Sequence, residues 1–526
     1  MRNRVSGRDS QPPDGKTIEI PNQPGHNEMK NRIYFTLLLL VFSTVLNAAP
    51  AKLIINANLL SPERSGILAN AWVRIDDGRI TDVGTGTVNS SEYDVIDAAG
   101  AYLIPGLIDS HVHLYHATGL KRRYTKNFES LYDAYMKQQP RSFLYYGFTS
   151  VIELNAKQTA NSRFESAPVH PRLFHCGPGV ILSDGFMALE LEGEPIGQVR
   201  PGYLIDHYAG GLVPKDADAS KHTPEAVVDY VRQQGGRCVK LYYEEALWWP
   251  GGAPEFLLPS VAIVRDVVSA AHARNMPVLL HATTPDGQRF ALDAGVDILV
   301  HGMWEWPDQA FDAPDPEPEY AKIARDIAVS DIGLQPTFNT IRNTASLFET
   351  MLLTDPAWEQ VVPDAYLNYL RTDGQQQRKK FIAIFGPQLS EGNTDDDYRL
   401  KMTAFNSRYE KLIGSMNRDN AELLFGSDTA VGGLGWGSPP GLAGYWEMQS
   451  WVRAGISLKT LFESLTISNA RAFGLDREIG TIEAGKRADL LVLTGNPLED
   501  VTAYNTIETV ILDGKEIKRE SLSARE

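Results

Sequence analysis

Two histidines stand two residues apart in "PGLIDSHVHL", at His111 and His113. In an extended strand that spacing puts both imidazoles on one face, where they can share a divalent metal. Four more residues with the right chemistry follow at wide intervals. They are Lys240 in "CVKLYYE", His281 in "PVLLHAT", His301 in "DILVHG" and Asp428 in "LLFGSDT". Imidazole and carboxylate are the usual donors to a hydrolytic metal. Taken singly, each has a structural alternative. A strand-end histidine is commonly a hydrogen-bonded core residue, Asp428 could cap the segment after it, and Lys240 could pair with Glu244 or Glu245. Taken together, they require a scaffold that gathers five strand ends.

The middle of the chain supplies that scaffold. Strand-like runs recur at "GLIDSHVHL", Thr149–Leu154, Arg172–Val180, Arg237–Tyr243, Pro277–Thr283, Asp297–Gly302, Gly333–Asn339 and Leu423–Thr429. Helical patterns fall between several of them, as in "TPEAVVDYVRQQGG", with Thr223 as N-cap and Pro224 in the first turn. Eight such units predict a (β/α)8 TIM barrel, with its site at the C-terminal ends of the strands. The strand-like runs of 52–104 and those after 478 predict a small β-sandwich domain built from both chain ends. The Asp76-Asp77-Gly78 step reads as a hairpin turn. The domain reading is therefore 1–51 extension and signal peptide, 52–104 and 478–526 β-sandwich, and 105–477 (β/α)8 barrel. Two connections, 181–222 and 340–422, are too long for simple returns. The first is irregular, and the second is polar and helical in pattern.

The chain has 526 residues and a net charge of −16, which argues against nucleic acid as a partner. Two cysteines, Cys176 and Cys238, offer no disulfide framework and no CxxC pair. Cys238 reads as a small core residue. Met29–Ala51 has the basic start, apolar run and small-residue end of a secretory signal peptide. Translation is expected to begin at Met29, with export to a bacterial periplasm or the medium. The partners expected are a small-molecule substrate and, by the chain's size and fold, scope for a homo-oligomer, with no stable membrane span after signal removal.

With these residues in place, the chain resembles the amidohydrolase superfamily, in its imidazolonepropionase-related and prolidase-like branch. "PGLIDSHVHL" matches that family's HxH motif, and His281, His301 and Asp428 match its later strand-end ligands. "SNARAFGLDREIGTIEAGKRADLLVLTGNPL" resembles its C-terminal signature. The resemblance implies a carboxylated Lys240 bridging two metals, zinc by default. His111, His113 and Asp428 would hold one metal and His281 and His301 the other. It further implies hydrolysis of an amide by a metal-activated hydroxide, in an N-acyl amino acid or dipeptide, with Asp428 carrying the proton to the leaving amine. The rival readings are a mononuclear deaminase or cyclic-amide hydrolase of the same superfamily, and a binding protein that kept the barrel without catalysis.

Tyr242 shares the parity of Lys240 and is placed to hydrogen-bond substrate. Trp248 and Trp304, downstream of ligand-bearing strands, suggest an aromatic pocket. Trp249, Trp306, Trp436 and Trp446 have similar positions and could equally form a buried rim. Glu153 and His116 are further candidates for substrate contact, with support of the ligands from behind as the alternative.

Overall fold

The structure is a computed structural model. It describes residues 51–120, 128–189, 191, 193–215, 217–247, 252, 254–307, 313–349, 351–389, 394–430 and 436–525. The expected signal peptide and Trp248 lie outside them. Among the described residues, no helix is long and apolar enough to cross a membrane.

Five strands open the chain: β1 (Lys52–Leu59), β2 (Leu68–Asp76), β3 (Arg79–Thr85), β4 (Asp94–Asp97) and β5 (Tyr102–Pro105). Seven strands of the middle follow: β6 (Leu107–Val112), β7 (Phe148–Glu153), β8 (Arg172–His175), β9 (Val239–Tyr242), β10 (Val278–His281), β11 (Ile298–Val300) and β12 (Gly333–Gln335). The last three are β13 (Leu490–Leu493), β14 (Ile507–Leu512) and β15 (Lys515–Lys518).

Both chain ends share one sheet, in the order β15-β14-β13-β5-β1-β2-β3, with β4 beside β1. The join is antiparallel pairing of β13 with β5. Strand pairing connects all eight strands. An apolar cluster that includes Ile54, Val73, Leu103, Leu490 and Ile511 forms the core of this sheet. The β2–β3 hairpin turns at Asp77 and Gly78, both at positive φ, as the Asp-Gly step dictates.

The middle is a TIM-barrel-type α/β domain. Its strands form two parallel sheets, β6-β7-β8 and β9-β10-β11-β12. β6 and β7 are buried along their whole length, as parallel strands covered on both faces must be. Among the described residues no continuous ladder closes the ring, and the seams carry sparser links. At the β8–β9 seam, the Arg237 N–H donates to the His175 carbonyl and the Val180 N–H to the Lys240 carbonyl. The Leu423–Thr429 run, read as an eighth strand, makes isolated parallel bridges instead, Leu423 to Leu334 and Thr429 to Val112.

Helix starts are set by local chemistry. Thr223, Ser260 and Thr284 each accept a backbone N–H from the first turn of the helix they precede, at 3.3, 3.2 and 3.1 Å. Pro224 and Pro285 occupy first-turn positions where no N–H is needed. The connection after β12 is helical as expected, with helices Phe338–Ser346, Asp364–Arg371, Gly374–Leu389 and Asp395–Arg418.

The cysteines depart from expectation. Cys176 and Cys238 form a disulfide, although 62 residues separate them. Both side chains are fully buried. Cys176 directly follows β8 and Cys238 directly precedes β9, so the bond crosses the seam between the two parallel sheets. No spacing motif announces it, because only the fold brings these two chain segments together.

Candidate metal centre

The structure gathers the six residues picked out by the sequence. His111 lies on β6 and His113 just beyond its end, Lys240 is second in β9, His281 closes β10, and His301 follows β11. Asp428 comes from the eighth segment. Its Oδ1 lies 3.2 Å from Nε2 of both His111 and His113. The candidate donor atoms of these three residues all fall within 4.8 Å of one another. The other two imidazoles extend the group. The His301 ring centre is 5.4 Å from that of His111 and 4.7 Å from that of His281. Lys240 is only 2 % exposed, and among the described residues its Nζ has no hydrogen-bond partner.

Each imidazole but one is oriented by an outer partner. Glu153 holds Nδ1 of His113 at 3.2 Å and also accepts the Leu114 and Asn155 backbone N–H groups. Thr337 Oγ1 holds Nδ1 of His301 at 2.6 Å, and Glu244 Oε2 holds Nε2 of His281 at 2.8 Å. Fixing one ring nitrogen leaves the other for a metal. The exception is His111, whose Nδ1 is buried without a partner. Thr340 Oγ1 donates to the second oxygen of Asp428 at 2.9 Å.

The backbone is bent to make this arrangement. His301, Thr337 and Asp428 all have positive φ, at 80°, 51° and 51°. For residues other than glycine this costs about 1–3 kcal/mol each and concentrates at functional sites. Gly426 lets the Asp428 segment approach β6, since a Cβ there would fall 2.7 Å from the His111 Cβ.

Electrostatics follow from burial and from these neighbours. Burial pushes the Lys240 amine down to about 7, against the pull of Asp428. Burial also holds His111 and His301 well below the ordinary imidazole value. Burial opposes the charged form of His113 too, but its hydrogen bonds to Asp428 and Glu153 raise it to about 9. Asp428 resists the effect of burial because His111 and His113 face it, and its carboxyl sits well below the usual range. The donor set therefore fits a divalent metal: four imidazoles, two of them, His111 and His301, kept neutral by burial, with an ionised carboxylate and a buried amine.

Of the residues placed near substrate, Trp304 packs its ring 4.8 Å from that of His301 and is half-buried. Trp306, Trp436 and Trp446 are buried in the main apolar core, which favours the buried rim for them. Tyr242 is half-buried, with its ring 6.0 Å from that of His281. His116 stacks at 3.9 Å on Tyr115. The supporting residues Thr337, Thr340 and Asp109 had no sequence signal, and Glu244 was read only as a possible partner for Lys240.

Comparison with known proteins agrees with this geometry. A dihydroorotase of Syntrophotalea carbinolica is 47% identical over 62 residues, 12% of this chain and 14% of the relative. An imidazolonepropionase of Phocaeicola vulgatus is 39% identical over 75 residues, 12% of this chain and 18% of the relative. This chain therefore spans less than a fifth of either curated relative in the matched stretch. The solved structure of a Xaa-Pro dipeptidase shares the fold, with a TM-score of 0.60 and 20% identity over 89% of this chain and 100% of that one. The amidohydrolase family model matches residues 102–316 and 379–517, more than half of the chain. The chain belongs to the amidohydrolase family.

Proposed function

We propose that the protein is an exported amidohydrolase that cleaves the amide bond of an N-acyl amino acid or dipeptide. It would use two divalent metals, zinc by default, bridged by a carboxylated Lys240. The observation that carries the reading is the convergence of His111, His113 and Asp428 beside a buried, unpartnered Lys240 amine. An amine held near neutrality can react with carbon dioxide, and the resulting carbamate has two oxygens to offer. His111, His113 and Asp428 would hold one metal, and His281 and His301 the other. Bound there, a divalent metal supplies Lewis acidity toward a carbonyl and makes water a better nucleophile at neutral pH.

The chain's own residues do the rest. Asp428 is ionised, and it can take a proton from the attacking water and return it to the amine nitrogen as the C–N bond breaks. Thr340 fixes the orientation of that carboxylate. Trp304 gives the mouth an apolar wall beside His301. The buried Cys176–Cys238 disulfide suits an oxidising compartment, which supports the proposed export. The domain reading of 52–104 with 478–526, around a barrel of 105–477, is retained as part of the proposal.

The local likeness to a dihydroorotase favours cyclic-amide hydrolysis as the second reading. A hydrolysis screen of N-acyl amino acids, dipeptides and cyclic amides, run with metal analysis of wild type and Lys240→Ala, tests both. Turnover of the linear amides with two metals per chain, lost in Lys240→Ala, is the expected result. Turnover of cyclic amides alone would favour the second reading.

A further inference from the structure

One cation near the candidate site has no counter-ion among the described residues. Arg200 follows the short helix Ile196–Val199, inside the long connection after β8. Its side chain is half-buried, and among the described residues it makes one hydrogen bond, from Nη1 to the Asn155 amide oxygen at 2.8 Å. No described carboxylate pairs with it, and four guanidinium N–H donors are left over. A partly desolvated guanidinium calls for an anion, and its planar fork matches a carboxylate.

Position connects this group to the chemistry. Asn155 donates its backbone N–H to Glu153, and Glu153 holds His113, so Arg200 stands two side chains behind a metal-ligand candidate. The Asn155 amide also accepts the Gly179 N–H at 3.1 Å. A Cβ on Gly179 would lie 3.2 Å from that same amide oxygen and 2.5 Å from the Tyr242 hydroxyl. The glycine thus lets the Tyr242 hydroxyl and the Asn155 amide that holds Arg200 both pack against the same stretch of backbone. The arginine's segment is well anchored. The Arg200 N–H bonds to Ile196, the Tyr203 N–H to Arg200, and Tyr203 stacks at 3.6 Å on His222.

A second cation lies close to the same Asn155. Lys157, two residues beyond Asn155, sits 3.9 Å over the Tyr115 ring, and the Tyr115 hydroxyl accepts from Asn155 at 3.2 Å. Across the site, Glu244, Glu245 and Glu305 bond to His281, Thr284 and Thr283. In a chain with net charge −16, an anionic substrate needs such a local basic side to be held and turned the right way round.

We infer that Arg200 is a specificity-determining residue that binds the free carboxylate of the substrate's amino-acid part. The inference deepens the proposed amide hydrolysis and rests on it. Its substrates are amides whose amine half is an amino acid with an unblocked carboxyl group.

The test uses the metal-loaded full chain with matched pairs of N-acetyl amino acids and dipeptides, each as the free acid and as the methyl ester. Kinetics and calorimetric binding are measured for wild type, Arg200→Gln and Arg200→Lys, with a thermal melt for each. Wild type is expected to prefer the acids. Arg200→Gln is expected to lose about 10- to 100-fold in kcat/KM for the acids, mainly through KM, with the esters nearly unchanged. Arg200→Lys should restore part of the loss. An equal fall for acids and esters would show a merely structural role and overturn the inference. So would unchanged use of the acids by Arg200→Gln, or failure of wild type to bind any acid in the panel. Arg200-dependent binding of the acids without cleavage of either form would refute the amide-hydrolase reading while leaving the anion subsite standing.

Discussion

Asp109 holds Ser427 beside β6 through two hydrogen bonds, from the backbone N–H at 2.9 Å and the hydroxyl at 2.5 Å. The same carboxylate accepts the His111 N–H at 3.2 Å. One buried side chain thus sets the distance between a histidine ligand and the residue preceding Asp428. Replacing Asp109 with Ala leaves three buried donors unanswered, at about 1–3 kcal/mol for each such group. The expected result is metal affinity reduced about 10- to 100-fold together with a lowered melting temperature, read by metal titration and calorimetry.

Glu153 does for His113 what Asp109 does for the backbone. Glu153→Gln keeps the shape but removes the negative charge that helps raise His113 to about 9. Metal affinity is expected to fall about 10- to 100-fold, with KM for substrate little changed once metal is saturating. A change confined to KM would place Glu153 on the substrate instead.

Lys240 gives a pH dependence with a definite sign. Burial lowers its amine to about 7, so the neutral, carbon-dioxide-reactive form prevails above that pH and is lost below it. Reconstitution of metal-stripped protein with metal and bicarbonate is expected to slow about tenfold for each pH unit below 7. Lys240→Ala should not respond to bicarbonate at any pH. A rate independent of bicarbonate in wild type would remove the carbamate from the proposal.

The Cys176–Cys238 link closes a loop of about 62 residues across the β8–β9 seam. Replacing both cysteines with Ala is expected to cost about 4 kcal/mol of stability by loop-closure entropy, measured by urea denaturation. Metal content of the folded variant should be retained, because neither sulfur belongs to the donor set.

Trp304 packs its ring 4.8 Å from that of His301. Trp304→Ala is expected to raise KM several-fold for bulky apolar substrates and to leave small ones alone. Equal effects across a substrate series would assign the ring to support of His301.

The candidate ligands were legible because their chemistry is local to each strand end. The HxH spacing, the strand-terminal histidines and Asp428 each carry their meaning in a few neighbouring residues. The helix starts at Thr223 and Ser260 were readable for the same reason. What escaped depends on segments far apart in the chain. Thr337 meets His301 36 residues away, and Asp109 meets Ser427 318 residues away. The cysteine pair belongs to the same class. The eighth strand was read one step too regular, because Gly426 and the positive φ of Asp428 replace a ladder with isolated bridges.

The left-handed backbone at His301, Thr337 and Asp428 also bears on how this protein can change. At such positions glycine or asparagine relaxes the chain, so the mutations that abolish the site are among those that make the scaffold more robust. Selection for heat resistance alone would favour silent barrels, with the histidine and aspartate traded away first. A thermostabilisation campaign should therefore hold these three codons fixed and seek its gains elsewhere in the sequence.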